Sequence, residues 1–215
     1  MTTKSPVRKE RKENADMRRR QILDATYRSI VKNGLSKTTL ATVADEAGLS
    51  QGVAVFYFKS KNGLLSEALR DLYQIYHEHW QSALAEAGDD PAVLLAAIVR
   101  ADFDPRICNA QTLSVWFAFW GEQKFTPQYA DITREYDNKR TVAIQAICAR
   151  LFPDEPERAL NVAEWVDTLT DGYWQHLHLT RDSLDVPRAQ AGAVRFLCAF
   201  LPDHAEIIRK RFAPD

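Results

Sequence analysis

The sequence predicts an all-α protein with about nine or ten helices. Apolar residues recur at the three- and four-residue spacing of helices, and no alternating strand pattern of useful length occurs. Prolines stand beside capping residues at several points, as they do at helix N-termini. Only 8 of the 215 residues are glycine, which argues against glycine-rich phosphate loops and tightly turned β structure.

The first predicted helix covers residues 17–32. Two neighbouring stripes at helical spacing define it: Ile22, Thr26 and Ile30, and Leu23, Tyr27 and Val31. The pair Asn33-Gly34 supplies a C-terminal stop. The chain before this helix is basic from Lys4 to Arg20 and poor in large apolar residues. We therefore expect its first dozen residues to form a mobile arm.

Residues 38–65 read TTLATVADEAGLSQGVAVFYFKSKNGLL and predict two short helices joined by a turn. Thr39 is positioned to cap a helix from Leu40 to Ala47, which Gly48 ends because glycine tolerates positive φ. Ser50 is expected to cap a second helix from Gln51 to Tyr57. Ser60 is expected to cap the next helix, with Lys61 in its first turn. The predicted apolar face consists of Val43, Ala44, Ala47, Leu49, Val53 and Phe56.

Proline positions predict the remaining helix starts. A capping residue directly precedes proline in Asp90-Pro91, Asp104-Pro105 and Thr126-Pro127, and Pro187 follows Asp185 closely. The resulting helices are 60–87, 91–101, 106–121, 127–151, 156–180 and 187–200, with a short one after Pro202.

Charge is unevenly distributed along the chain. The net charge is −1, which taken alone argues against a nucleic-acid binder. Residues 1–70 nevertheless hold 14 Lys and Arg against 7 Asp and Glu, a balance of +7, and the remaining residues carry −8. This asymmetry indicates a basic module on an acidic body.

Two short helices joined by a glycine-containing turn form a helix-turn-helix. The second helix has the size that fits the DNA major groove, where its N-terminal residues reach base edges. The start of the next helix and Lys61 both suit a phosphate, because a helix N-terminus carries positive charge. A basic helix-turn-helix favours a DNA-binding regulator over an enzyme or a helical protein-binding adaptor, the two remaining alternatives.

Gly34 followed by the order TT…VA..AG.S.G…..F..K..LL resembles the TetR family of transcriptional regulators. The resemblance implies a DNA-binding domain over 1–62, a ligand-binding and dimerisation domain over 63–215, and a homodimer that releases operator DNA when a small ligand binds. Many members have tyrosine where this chain has Val55, so the operator sequence stays open. The positions at which the family touches DNA are Thr39, Ser50, Gln51, Gly52, Val53, Val55 and Tyr57, with Lys61 on a phosphate.

Further segments resemble the choline-responsive BetI subgroup of that family: VFYFKSKNGLL, DFD at 102–104, WFAFWGE at 116–122, and the later run from Asp171 to Trp174. Aromatic faces and a carboxylate suit a quaternary ammonium, which has no N–H to donate. Aromatic stripes at helical spacing also occur as plain packing, and a different cationic or aromatic effector is the alternative. The candidate ligand residues are Trp116, Trp120, Glu122, Tyr129, Asp171, Tyr173 and Trp174.

The resemblance also implies that the last two long helices, 156–180 and 187–200, pair in a homodimer. The candidate contacts, each with the intramolecular core as its alternative, are Leu169, Leu177, Val194, Leu197 and Leu201. No signal peptide or membrane span is indicated, so we expect a cytoplasmic protein with free thiols. The histidine pairs, 77 with 79 and 176 with 178, diverge on a helix, and no metal or cofactor is predicted.

Overall fold

A computed structural model describes the backbone of residues 6–180 and 185–212, and the side chains of those ranges from residue 13 onward. Over these residues the chain forms ten α-helices and one short 3-10 helix, with no β-strand. The all-α prediction is confirmed. Among the described helices, none has an apolar stretch long enough to span a lipid bilayer.

The helices follow one another with short connections. Their bounds are α1 Pro6–Asn33, α2 Leu40–Ala47, α3 Gln51–Phe58, α4 Lys61–Ala87, α5 Pro91–Asp102, α6 Ala110–Glu122, α7 Pro127–Leu151, α8 Pro156–Leu179, α9 Val186–Phe200 and α10 Ala205–Phe212. The 3-10 helix Pro202–His204 precedes α10. Most bounds lie within one or two residues of those predicted.

Local capping explains why several predicted starts are right. Asp90 accepts hydrogen bonds from the backbone N–H groups of Ala92 and Val93, at 2.8 and 3.1 Å. Asp185 accepts from the N–H of Arg188 at 2.8 Å. Each carboxylate satisfies a donor that the first helical turn leaves unpaired.

Helix α1 begins well before residue 17, at Pro6. The predicted mobile arm is therefore wrong from residue 6 onward, and residues 1–5 lie outside the described part of the chain. Lysine, arginine and glutamate favour helix formation even where no apolar face is present. The polar composition of this segment indicated low burial, which does not by itself mean absence of a helix.

Helix α6 begins later than predicted, at Ala110 instead of residue 106. The Asp104 carboxylate accepts from the backbone N–H of Arg106 at 2.8 Å and shapes a turn. Asn109 provides the cap, since its side-chain oxygen accepts from the N–H of Thr112 at 2.9 Å. The Asp104-Pro105 pair therefore marks a turn before the helix.

The chain groups into two compact units, which α4, α6 and α7 each enter. Unit 1 runs to Asp71 and includes Ser114–Tyr129, and unit 2 comprises Leu72–Leu113 and the chain from Ala130 onward. Large, fully buried side chains in unit 1 include Ile22, Leu23, Leu64, Leu65, Leu69, Trp116 and Phe119. Those in unit 2 include Leu95, Ile98, Ile132, Ile144 and Leu197. The functional boundary predicted after residue 62 stays a prediction, because grouping by contacts does not reveal which part binds DNA.

In unit 2, α5 packs against α8, α9 and α10, and α8 packs against α9. Leu197 and Leu201, two predicted dimer contacts, are only 1% and 2% exposed. Their side chains are buried within the single chain, so the intramolecular alternative holds for both. Leu169, Leu177 and Val194 keep part of their surface exposed.

Candidate DNA-binding and ligand-binding sites

Helix α2 is capped at both ends, and its C-terminal cap begins the turn that leads to α3. Thr39 accepts from the backbone N–H of Thr42 at 3.1 Å, and its own N–H donates to the Thr42 hydroxyl at 2.8 Å. This reciprocal pair is a capping box. Gly48 ends the helix at φ 66°, where a side chain would be strained. The predicted cap and stop of α2 are confirmed.

Helix α3 turns a different face inward from the one predicted. Ala54 and Phe58, four residues apart, are 0% and 5% exposed, whereas Phe56 is 69% exposed. The assignment of Phe56 to the apolar face is therefore wrong, because Phe58 occupies the inward position. Ser50 stands at the N-cap position, but its side chain makes no capping hydrogen bond, so its predicted capping role is also wrong.

The outer face of α3 carries most of the predicted DNA contacts. Ser50, Gln51, Gly52 and Val55 are exposed. Val53 and Tyr57 are half-buried, as is Thr39 at the start of α2. The structure brings these residues together on the helix-turn-helix of unit 1, and their contacts with DNA stay predictions.

The short link from α3 to α4 positions Lys61. Lys59 ends α3 at φ 64°, a backbone conformation that few residues other than glycine adopt. The hydroxyl of Ser60 accepts from the N–H of Gly63 at 3.0 Å, which confirms the predicted cap. A β-carbon at Gly63 would overlap the carbonyl oxygen of Phe58, so only glycine fits this approach.

Part of the basic charge in unit 1 is held in internal ion pairs. Arg20 binds Asp71 at 2.7 Å, Arg28 binds Glu46 at 2.9 Å, and Arg19 pairs with Glu67. These pairs join α1 to α2 and to the first turns of α4. Three lysines around the helix-turn-helix have no carboxylate partner within the described residues: Lys37, Lys59 and Lys61. Lys59 and Lys61 donate to the backbone carbonyl oxygens of Phe56 and Ser36.

The predicted ligand residues of unit 1 are largely core residues. Trp116 is 1% exposed, and its ring centroid lies 6.0 Å from that of Trp120, as expected for residues four apart on one helix face. Tyr129 is buried with its ring edge-on to Phe119 at 5.3 Å. The pKa of Tyr129 is raised, mainly because the side chain is buried and also because half-buried Glu122 is negatively charged.

The predicted ligand residues of unit 2 have three different environments. Asp171 is exposed. Tyr173 is half-buried, with its ring 5.9 Å from that of Phe103. Trp174 is buried, and its indole N–H donates to the carbonyl of Asp102 at 2.9 Å. That hydrogen bond gives Trp174 a clear structural role in addition to any contact with a ligand.

A buried charged network lies at the centre of unit 2. Asp102 is completely buried and accepts from Arg140 at 2.6 Å and from the Tyr76 hydroxyl at 2.6 Å. Arg140 also pairs with Asp167. The sequence did not predict Tyr76 or Arg140 as members of this network. Arg140 was missed because an arginine on a helix usually points to solvent. The four-residue spacing of Tyr136 and Arg140 on α7 was the available signal.

Carboxylates outnumber cations around Arg140. Besides Asp102 and Asp167, the charges of Asp137 and Asp171 act on its guanidinium. Burial disfavours the charged form of Arg140, but these carboxylates outweigh it and raise its pKa, so it stays a cation. Although Asp137 and Asp171 are exposed, partial desolvation by the surrounding protein raises the pKa of each to about 6.

Aromatic rings accompany these carboxylates. Tyr73 stacks on Tyr136 with centroids 5.2 Å apart, and the Tyr76 ring lies 5.4 Å from that of Trp174. We call Tyr73, Tyr76, Asp102, Tyr136, Asp137, Arg140, Asp167, Asp171 and Trp174 the acidic–aromatic cluster. Over the described residues, no group of three or more His, Cys, Asp or Glu side chains is arranged to hold a metal ion.

Two protein families match successive parts of the chain. The model of bacterial regulatory proteins of the tetR family matches residues 22–68. The model of the BetI-type transcriptional repressor C-terminal domain matches residues 91–202. The chain belongs to the TetR family of transcriptional regulators. Its C-terminal part is of the BetI type, and this BetI-type protein is a regulator, not an enzyme.

Curated relatives carry the same description. A BetI transcriptional regulator of Burkholderia thailandensis is 38% identical over 168 residues, covering 74% of this chain and 80% of the relative. The BetI regulator of Stenotrophomonas maltophilia is 35% identical over 158 residues with the same coverage. These similarities support a TetR-type transcriptional repressor with BetI homology.

Solved structures show the same fold at lower identity. A transcriptional regulator of Pseudomonas aeruginosa PAO1 superposes with a TM-score of 0.77 at 18% identity, covering 93% of this chain and 95% of that one. A regulator of Saccharomonospora viridis, solved in complex with choline, superposes with a TM-score of 0.73 at 21% identity, covering 86% and 95%.

Proposed function

We propose that this BetI-type repressor binds operator DNA as a homodimer and releases it when choline or a related quaternary ammonium binds, within a betaine-synthesis pathway. The observation that carries the proposal is the charge imbalance of the acidic–aromatic cluster. Four carboxylates surround one guanidinium, Arg140, and aromatic rings lie beside them. An unbalanced set of carboxylates among aromatic rings favours a cationic guest.

The chemistry of the cluster suits a cation that has no N–H group. Such a cation is bound by ring faces and by nearby negative charge, because it has no hydrogen to donate. Tyr73 and Tyr136 stack beside Asp137, and the Lys139 ammonium lies 4.4 Å from the centroid of the Tyr136 ring, which shows that this ring accepts a cation. The choline-bound regulator of Saccharomonospora viridis supports the same ligand class. Trp116, Trp120, Glu122 and Tyr129 stay additional ligand candidates.

The proposed DNA surface is the outer face of α3. Exposed Gln51 is placed to reach base edges, and the apolar side chain of Val55 suits a thymine methyl group. Lys37, Lys59 and Lys61 supply phosphate contacts, which fix the position of a protein on DNA without reading sequence.

The proposed homodimer uses exposed aromatic surface on α8 and α9. Trp165 is 42% exposed, and its ring lies 4.8 Å from that of Phe200, which in turn lies 4.5 Å from Phe196. A cluster of large apolar side chains on the surface of a single chain favours a protein–protein contact. A two-fold dimer would present two copies of α3 to two half-sites of an operator.

Release requires the ligand to prefer one conformation of the dimer. A ligand lowers DNA affinity only to the extent that it binds the non-DNA-binding state more tightly. Helix α4 starts directly after the helix-turn-helix and carries Tyr73 and Tyr76 further along. We therefore assign α4 as the element through which ligand binding is transmitted.

A calorimetric titration with choline tests the ligand assignment. We expect saturable binding of choline and none of 3,3-dimethylbutan-1-ol, in which a neutral carbon replaces the nitrogen. Asp137→Asn should weaken choline binding about tenfold. The matched control Asp131→Asn removes a carboxylate of the same helix that pairs with Arg134 at the surface, and should change nothing.

Other outcomes would overturn the choline assignment. Equal binding of choline and the neutral alcohol would show that the site recognises shape and not charge. Absence of saturable binding by either would leave a TetR-type regulator with another cationic or aromatic effector.

A further inference from the structure

Unit 2 contains a cavity of about 540 Å³ that shares no residue with the acidic–aromatic cluster. It is lined by α4 from Ile75 to Glu86, by α5 near Arg100, by the turn at 104–107 and by Arg211 of α10. Its lining is rich in charged side chains of both signs.

The α4 wall of this cavity is acidic. Glu78, Ser82 and Glu86 are spaced by four residues and therefore lie on one helix face. Glu78 accepts from the side-chain amide of Gln74 at 2.6 Å, and Glu86 accepts from the Ser82 hydroxyl at 2.9 Å. Both partners are neutral. Neither glutamate forms an ion pair within the part of the chain that the structure describes.

The wall formed by α5 and α10 is basic. Arg100 donates to the backbone carbonyl of Arg211 at 3.1 Å, and neither guanidinium pairs with a described carboxylate. The Nε of Arg211 is buried without a hydrogen-bond partner. Arg106, by contrast, is bound by Asp104 at 2.8 Å, and the charge of Glu86 also acts on it. Two cations of the lining thus remain unbalanced among the described residues.

Among the described residues, Glu78, Arg100 and Arg211 carry charges without an ion-pair partner around one cavity, and Glu86 acts on Arg106 only by its charge, without an ion pair. If the glutamates and the arginines were adjacent, they would form the ion pairs seen elsewhere in the chain. We infer that the cavity binds a small zwitterion whose carboxylate contacts Arg100 and Arg211 and whose ammonium contacts Glu78 and Glu86. Guanidinium groups suit a carboxylate because their N–H groups can donate two parallel hydrogen bonds.

The lining also specifies the kind of ammonium group. His79 supplies the only ring among the described lining residues, and its buried Nε2 lies 3.9 Å from the Asp104 carboxylate. The described lining therefore offers no set of aromatic faces to hold a quaternary ammonium. The glutamate oxygens instead accept hydrogen bonds, so the guest carries a primary ammonium with N–H donors. The ligand class is an amino-carboxylate, distinct from choline.

Calorimetry on the full-length protein with 4-aminobutyrate as the probe tests this inference. We expect saturable binding of 4-aminobutyrate at one site per chain. Butyrate and butylammonium, which each carry one of the two charges, should bind at least tenfold more weakly. The quaternary analogue 4-trimethylammoniobutanoate should also bind at least tenfold more weakly.

Substitutions locate the site and separate it from the proposed choline site. Arg100→Gln and Glu86→Gln should each weaken 4-aminobutyrate binding at least tenfold, whereas Asp137→Asn in the acidic–aromatic cluster should leave it unchanged. Glu86 is exposed and contacts only Ser82 in the hydrogen bonds described, so Glu86→Gln should fold normally even if Arg100→Gln does not.

Three results would overturn the inference. They are no saturable heat with 4-aminobutyrate, equal binding of its singly charged halves, and loss of binding in Asp137→Asn but not in Glu86→Gln. Choline binding is measured in parallel, so failure of this inference is distinguishable from failure of the choline proposal.

Discussion

The ring of Tyr173 on α8 lies directly against the backbone of Gly192 on α9. Its Cζ atom is 2.8 Å from the position that a β-carbon at residue 192 would occupy, and its hydroxyl would overlap that carbon. Gly192 is buried and Tyr173 is half-buried, so a methyl group at residue 192 would force this ring to turn away from α9. The close packing of these two helices therefore depends on a glycine.

Gly192→Ala should destabilise the protein. Forcing an extra methyl into a packed contact costs about 1–3 kcal/mol, although alanine favours a helix over glycine. Urea denaturation followed by circular dichroism measures the free energy of unfolding. Gly172→Ala is the matched control, since nothing lies within 4 Å of its β-carbon position. It should be neutral or stabilising. Equal effects at both positions would contradict the packing described.

Removing one partner of the buried pair in unit 2 should be strongly destabilising. Asp102→Asn leaves Arg140 in the interior with less compensating charge, and breaking a buried pair in this way costs about 3–5 kcal/mol. The double variant Asp102→Asn with Arg140→Met should recover part of the loss, because no uncompensated cation remains. The unfolding free energies of the two single variants and the double variant give the coupling. Strict additivity would show that the pair is not coupled.

DNA binding should depend on Lys37, Lys59 and Lys61 through salt. Replacing any one of them by alanine should weaken binding on all sequences and lower the slope of log affinity against log salt by about 1. Fluorescence anisotropy with a duplex selected by the wild-type protein from random DNA measures this slope. Lys210→Ala, in the last turn of α10, should leave the slope unchanged. An unchanged slope in the three lysine variants would contradict the proposed DNA surface.

Choline affinity should fall as the pH drops through about 6. Asp137 and Asp171 have pKa values near 6 in the folded protein, so acid neutralises the carboxylates that attract the cation. His77 contacts Tyr136, and burial lowers the pKa of His77; a positive charge on His77 in acid acts in the same direction. Choline keeps its charge throughout. Calorimetric titration between pH 7.5 and 5 provides the test, and Asp137→Asn should flatten the profile.

The same two carboxyls have the opposite effect on folding. Their folded pKa lies above the unfolded value of about 3.9, so the folded state binds protons more tightly. Their contribution to the free energy of unfolding therefore rises as the pH falls from about 6 to about 4. Weaker choline binding at pH 5 thus cannot be ascribed to loss of stability at these two groups.

Local chemistry explains which parts of the fold the sequence predicts. Thr39, Asp90 and Asp185 each cap a helix through bonds to residues two or three positions ahead, so their patterns can be read along the chain. Asp104 has the same pattern but shapes a turn, since Asn109 provides the better-placed cap. Likewise, the pattern alone did not distinguish Phe56 from Phe58 as the inward aromatic of α3.

The proposed ligand-binding site of unit 2 depends on contacts between distant parts of the chain. Asp102 and Arg140 are 38 positions apart and meet only because α5 and α7 bring them together. Sequence patterning identified Asp171 and Trp174 as members of an aromatic and acidic set, but it gave no reason to choose Arg140. Buried arginines are recognised only once their carboxylate partners are located.

Release of operator DNA by choline tests the central claim most directly. Anisotropy with the selected duplex should show at least tenfold weaker DNA binding at saturating choline, within the usual range of allosteric coupling. The neutral alcohol should have no effect, and Asp137→Asn should bind DNA normally but respond weakly to choline. If choline leaves DNA affinity unchanged while the wild-type protein binds the duplex tightly, the proposed choline response is wrong.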